Sequence, residues 1–206
     1  MRLAARTIAV PLAGAFGYLA GTFPFASVAS RLASGGTIDL RSAGSGNPGA
    51  LNAAQQLGST WGICVLIVDA AKGYVGAAVG RRLAGDAGAY LAATAAIGGH
   101  IAPVWSHFRG GKGVATSAGA CLAVFPAYFP IDAAVAAIGA AGTRDPEMAT
   151  RLSSLAWTIS AVVWWRRRWP NAWGPRPTAG LPLFAAAGST MILTKFASAR
   201  RARAPR

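Results

Sequence analysis

Long stretches of this 206-residue chain contain no Asp, Glu, Lys or Arg, and they constrain the fold more than any motif does. Residues 7–30, 88–109 (ending at its arginine), 114–131, 133–143, 152–165 and 177–194 are of this kind. Residues 61–79 are interrupted only by Asp69 and Lys72. A helix that spans a bilayer needs about 20 mostly apolar residues, and bare backbone in lipid must satisfy its own hydrogen bonds. Charged residues make up 13% of the chain, against about 25% in an ordinary soluble domain. The prediction is an all-α, polytopic bundle of six to seven transmembrane helices, formed by a single membrane domain over 1–206 with a basic tail at 195–206. Pro126 and Pro130 are expected to split 114–143 into two short helices. The 152–165 segment is short and must tilt little or lean on snorkelling arginines. Abundant glycine and alanine suit close helix packing. Trp61, Trp105, Trp164, Trp165, Trp169 and Trp173 fall at span ends, where amphipathic rings anchor.

The net charge is +14. In a soluble protein that would suggest nucleic acid. Here the cations flank apolar spans, as in Arg166–Arg168 and Arg200–Arg206, and fit anionic lipid head groups. No apolar-poor basic module exists to hold nucleic acid, so that partner is set aside. Cys64 and Cys121 lie inside spans without CxxC or Cys/His spacing, and they read as packing residues with no metal. Ser27-Val28-Ala29 could pass for a signal cleavage site, but the preceding run is long and rich in glycine and proline. A retained first span is expected. With seven spans, placing the last terminus inside puts Arg31, Arg41, Arg109, Lys112, Arg144, Arg151, Lys195 and the tail arginines in the cytoplasm. Arg2, Arg6, Arg81, Arg82, Arg166–Arg168 and Arg176 then lie outside. The positive-inside bias is slight, but this orientation turns both glycine loops toward cytoplasmic phosphometabolites.

Those loops are GSGNPGALN (44–52) and RGGKGVAT (109–116). Glycine lets backbone approach a ligand, and a run of fixed N–H donors beside a cation suits phosphate. In the first loop the predicted phosphate ligands are Arg41, Ser45, Gly46, Asn47 and Asn52, with Asp39 in support. Asn52 is expected to open the next helix, whose positive end favours an anion. Gly44, Gly46 and Gly49 match GxGxxG, with Asp69 further on. A dinucleotide site is rejected, because that motif needs a strand before it and a βαβ unit around it. In the second loop the predicted ligands are Gly110, Gly111, Lys112, Gly113 and Thr116. A Walker A needs Ser or Thr after the lysine, and here Gly113 follows Lys112.

Ionisable residues inside spans are functional candidates by default. His100 is read equally as a catalytic group or a packed structural one, and His107 as interfacial. Asp69 and Lys72, three apart, share a helix face and are expected to pair inside the bundle. There is no GxSxG elbow, and neither histidine starts an HxxxxD pair, so a covalent serine mechanism lacks support.

The order GTFPF, GGTIDLRSAGSGNPGALN, DAAKG, GGHIAPVWSHFRGGKGVATSAG closely resembles the bacterial acyl-phosphate:glycerol-3-phosphate acyltransferases, the PlsY family, over Gly21 to Gly119. The resemblance implies transfer of a fatty acyl group from acyl phosphate to the 1-hydroxyl of glycerol 3-phosphate. The products are lysophosphatidic acid and phosphate, as in the first step of phospholipid synthesis. No cofactor or metal is implied. The expected partners are these two substrates and membrane lipids, in a monomer placed multi-pass in the inner membrane. His100 and Lys112 are the catalytic candidates, with Asp69, Lys72 and Ser153 in support. The general base is His100 or a phosphate oxygen of the acceptor. The chain departs from the family pattern where Gln55 holds an arginine's place, and its tail lacks the usual His and Asn. A degenerate relative that binds lipid or phosphate, or moves an anion, is the alternative.

Overall fold

The computed structural model describes residues 2–143 and 145–203, with side chains at 8–139, 141–143 and 145–201. Arg144, residues 204–206 and the side chains of Arg2, Arg6 and Arg203 lie outside the described residues. The described chain is helical, with no strand among its elements. Its helices are α1 (Arg2–Gly21), α2 (Phe25–Ser34), α3 (Ala50–Leu57), α4 (Ser59–Ile101), α5 (Val114–Val124), α6 (Phe129–Thr143), α7 (Pro146–Arg167) and α8 (Gly180–Arg203).

α4 is two antiparallel arms, 59–83 and 86–101, joined at Ala84 and Gly85, where the helical dihedrals fail. Gly85 takes φ +64 and ψ −152, a conformation that only glycine adopts without strain. With the arms counted apart, α1, the two arms, α5, α6, α7 and α8 make seven apolar helical segments. By length and composition, residues 8–34, 59–106 and 180–201 are apolar and long enough to cross a membrane, while α5 and α6 are shorter. The break between α5 and α6 falls at Phe125–Tyr128, as Pro126 predicts, and Pro130 sits in the first turn of α6.

The first apolar run differs from the single span predicted over 7–30. It breaks after Gly21 and restarts as α2 at Phe25. Pro24 lacks an N–H and pushes Phe23 out of helical dihedrals, so the chain turns a corner. α7 extends past the predicted 152–165 at both ends. Asp145 caps it by accepting from Glu147 N at 2.8 Å, Pro146 occupies the first helical turn, and its charged ends are Glu147, Arg151, Arg166 and Arg167.

Small residues let the helices touch. A β-carbon at Gly17 would strike Ala92 backbone, and one at Gly119 would strike the Ala70 carbonyl, so α1 and α5 lie directly on the arms of α4. Gly119→Val should therefore lower the thermal midpoint in detergent, by an overpacking cost of about 1–3 kcal/mol. An unchanged midpoint would mean that this crossing is loose.

Aromatic packing closes the other side. Trp157 of α7 meets Phe184 of α8 edge-on at 5.0 Å, and Phe125 meets Trp164 at 5.3 Å. A smaller cluster of Ala26, Ala29, Leu40, Ala53 and Val65 pins α2 and α3 to the start of α4. The outer surface stays apolar, as Ile8, Ile67, Leu155 and Leu183 show, which suits lipid as solvent.

Candidate active site

The first glycine loop is held by its own asparagine. Asn52, the third residue of α3, is 1% exposed. Its Oδ1 accepts from Ser45 N at 2.9 Å, and its Nδ2 donates to Leu40 O at 3.0 Å and Ala43 O at 3.1 Å. That carboxamide buckles the loop shut. It neither opens the helix nor lines the cleft described below, contrary to its predicted place. Gly44 has φ +56, and a β-carbon there would run into Asn52 Oδ1. Asp39 Oδ1 accepts from Arg41 N at 3.0 Å and shapes the preceding turn. The Arg41 guanidinium donates to Ser27 Oγ at 2.7 Å and reaches Arg109 O at 3.4 Å, so it ties this loop to α2 and to the second loop.

The second loop folds back on the helix it leaves. Gly110 N donates to Ile101 O and Gly111 N to His100 O, both at 3.1 Å. These two N–H groups, predicted as phosphate donors, are spent on the last turn of α4. The glycines are needed for a different reason, close approach. A β-carbon at Gly110 would strike the His100 carbonyl, and one at Gly111 the His100 imidazole. Gly113 takes φ +85 and starts α5. Lys112 extends from between these glycines to α8, where its Nζ stands 3.9 Å over the Phe196 ring. Thr116 sits one turn into α5 as predicted, but it is fully buried against α4. Its hydroxyl has no hydrogen-bond partner among the described residues, and it is absent from the cleft lining.

Asp69 and Lys72 pair as predicted, at 2.8 Å, and are 2% and 8% exposed. The structure adds two partners that sequence spacing could not show. Lys72 Nζ also lies 3.2 Å from His100 Nδ1 and donates to Phe23 O at 3.0 Å. An ammonium has donors only, so Nδ1 must be the accepting nitrogen, and the neutral ring carries its proton on Nε2. Nε2 faces Gly111. One lysine thus clamps both arms of α4 and the corner before α2.

The two loops and α8 enclose a cleft of about 560 Å³. Of the residues predicted as phosphate ligands, Arg41, Ser45, Gly46, Asn47, Gly110 and Lys112 line it, together with Asp39. Arg109, Lys195 and Ser198 complete the wall. Nothing in the sequence around Lys195 marks it as a site residue, since it looks like the polar end of an apolar helix. Only the return of α8 to this end of the bundle brings it opposite Lys112. A narrower cavity of about 30 Å³ lies alongside, lined by the Thr22–Ser27 corner, Arg41, Asp69, Lys72, His100, Gly110 and Gly111. Arg41 and Gly110 border both, so His100 sits next to the cleft and not in it. Ser153 lines neither. It donates to Asp132 Oδ1 at 2.5 Å between α6 and α7. Gln55 is exposed on α3 and is likewise absent from the cleft.

Fold and cleft together define a helical membrane protein with a cationic cleft at one end of the bundle. The family model described as Glycerol-3-phosphate acyltransferase matches residues 11–203, and the chain belongs to that family. A Glycerol-3-phosphate acyltransferase of Nitrobacter winogradskyi is 40% identical over 154 residues, 74% of this chain and 76% of the relative. Glycerol-3-phosphate acyltransferase 1 of Moorella thermoacetica is 41% identical over 128 residues, 62% of this chain. The chain spans 65% of the length of that relative and 54% of one from Anaeromyxobacter sp. strain K. Two crystal structures of the integral membrane glycerol 3-phosphate acyltransferase PlsY (YgiH) share the fold. The glycerol 3-phosphate form has TM-score 0.75 at 28% identity, covering 93% of this chain and 90% of that one. The lysophosphatidic acid form has TM-score 0.73 at 26% identity, with 96% and 94% covered.

Proposed function

We propose that this chain transfers a fatty acyl group from acyl phosphate to the 1-hydroxyl of glycerol 3-phosphate, releasing lysophosphatidic acid and phosphate. The observation that carries this reading is the shared cleft: two glycine loops with Arg41, Arg109, Lys112 and Lys195 converge on one space closed by the end of α8. Both substrates are phosphate esters or anhydrides, and each needs cations. The acyl tail needs lipid-facing apolar surface, which α1, α4 and α8 supply.

Arg41, with Ser45 and Asn47, takes one phosphate, and Lys112, with Lys195 and Ser198, takes the other. The acceptor hydroxyl oxygen attacks the acyl carbonyl carbon, and the bond to the phosphate oxygen breaks as phosphate leaves. Fixed cations meet the charge that develops, and alignment of two bound reactants supplies much of the rate. With Lys72 on its Nδ1, His100 offers an N–H and no lone pair at Nε2. The hydroxyl proton therefore passes to a phosphate oxygen of the acceptor, and His100 positions the second loop. Thr116, Gly113, Asn52 and Asp69 hold that geometry. The chain works as one membrane unit over 1–206, as a monomer in the inner membrane with the cleft toward the cytoplasm.

Purified protein in detergent should form lysophosphatidate from acyl phosphate and glycerol 3-phosphate. Absence of product with either substrate varied would reject the enzyme, and phosphate binding without turnover would favour the degenerate relative. Lys195→Ala should raise KM for a phosphate-bearing substrate at least tenfold, since a charge-assisted hydrogen bond contributes about 1.5–3 kcal/mol. A KM within twofold of wild type would remove Lys195 from the site.

A further inference from the structure

The geometry points to a second binding site, for an anionic membrane phospholipid, in a groove at the end of the bundle opposite the cleft. The groove encloses about 360 Å³ between the two arms of α4, the last turn of α5 and the loop that carries Trp173. Its place follows from the topology. The first arm of α4 leaves the α2–α3 end and reaches Arg81 and Arg82 just before the reversal at Ala84 and Gly85. The loop after α7 is tied to the same end. Arg81 donates to Trp173 O at 2.6 Å, and Arg176 N donates to Asp86 Oδ2 at 3.3 Å. Lys112 and Lys195 lie at the other end of those helices.

The groove is amphipathic along its length. Arg81, Arg82 and Trp173 form the mouth, and Ala77, Ala78, Ala89 and Ala123 line the interior toward Tyr74. From Arg82 to Tyr74 the helix descends about 12 Å, at 1.5 Å per residue. α5 is an 11-residue helix that ends at Val124, one residue past Ala123. The rim is preorganised, because Arg81 is fixed by Trp173 O and by Asp86 Oδ1 at 3.5 Å. Trp173 is 60% exposed, and Val75 and Leu83 are exposed nearby, as befits a mouth at the level of lipid.

Charge selects the occupant. The same end carries Arg166, Arg167, Arg168 and Arg176, which outnumber the Asp86 carboxylate paired with Arg81, so a zwitterionic head group is disfavoured against an anionic one. A soluble anion would use the arginines and leave the alanine floor unfilled. A glycerophospholipid with a net negative head uses both.

The test uses the full-length protein in mild detergent, titrated with phosphatidylglycerol and phosphatidylcholine of matched chain length, with bound lipid counted by native mass spectrometry. Wild type should retain phosphatidylglycerol at least fivefold better. Arg82→Gln should erase about fivefold of that, the equivalent of one arginine at a lipid head group. Ala78→Trp, which fills the groove, should lower retention of both lipids, and Lys112→Ala should leave retention unchanged. Thermal midpoints of the variants check folding. Equal retention of the two lipids by wild type overturns the proposal. So does loss on Lys112→Ala without loss on Arg82→Gln, which would put the lipid in the catalytic cleft. Displacement of phosphatidylglycerol by inorganic phosphate alone would make this a simple anion site and overturn it as well. None of these readouts depends on acyl transfer, so the proposal fails or stands apart from the enzymatic one.

Discussion

Lys112→Ala should cut lysophosphatidate formation by about 10²–10³-fold while leaving the fold intact. The magnitude is that of one preorganised donor removed from a site where charge develops. The lysine is half-buried in the cleft wall, its loop is fixed by two backbone bonds to the end of α4, and its ammonium rides over Phe196. That geometry is set before substrate arrives, so little reorganisation is needed during reaction. Lys112→Arg keeps the charge but spreads it over a planar fork, and should recover only part of the rate. The loss should fall on kcat as well as KM, because a cation that meets developing charge acts beyond simple binding. A change confined to KM would make Lys112 a binding residue. No change at all would sink the assignment of this cleft.

Lys72→Met should be strongly destabilising. It removes the partner of Asp69, which is 2% exposed, and leaves that carboxylate with His100 Nδ1 at 3.7 Å. Breaking a buried pair by deleting one member costs about 3–5 kcal/mol. Asp69→Asn should cost nearly as much, since it leaves the ammonium with the Phe23 carbonyl and the His100 ring alone. The double variant Asp69→Asn with Lys72→Met should be more stable than either single one, because it leaves no uncompensated charge. Thermal unfolding in one detergent reads all three. Additive losses in the double variant would show that the pair is not coupled. The doubly substituted protein should still be a poor enzyme. His100 would lose the donor that fixes its ring, and Gly111, packed against that ring, would lose its seat.

The membrane helices were legible because each stands on a property local in sequence: a long run without charge, a proline that ends a helix, a glycine that permits a turn. The break at Pro24 was also written there, but the run of apolar residues through it masked the corner. The loops were legible as glycine-rich, cation-bearing elements, and they do meet at one cleft, while the task of each atom within them was not legible. Asn52 and the N–H groups of Gly110 and Gly111 suit phosphate by type and are used by the fold instead, a competition that only the assembled backbone decides. Thr116 and Ser153 likewise have the right chemistry and point elsewhere.

The amino-acid order alone determined that this chain would be a helical membrane bundle with two cationic glycine loops, because hydropathy, proline and glycine act over a few residues. Tertiary structure alone decided that Lys72 reaches His100 across the hairpin of α4, and that Lys195 on the last helix joins Lys112 at one cleft. Those meetings depend on how seven segments pack and where each returns. No local pattern carries that, since the partners are separated by tens of residues and held together only by the closeness that small side chains permit.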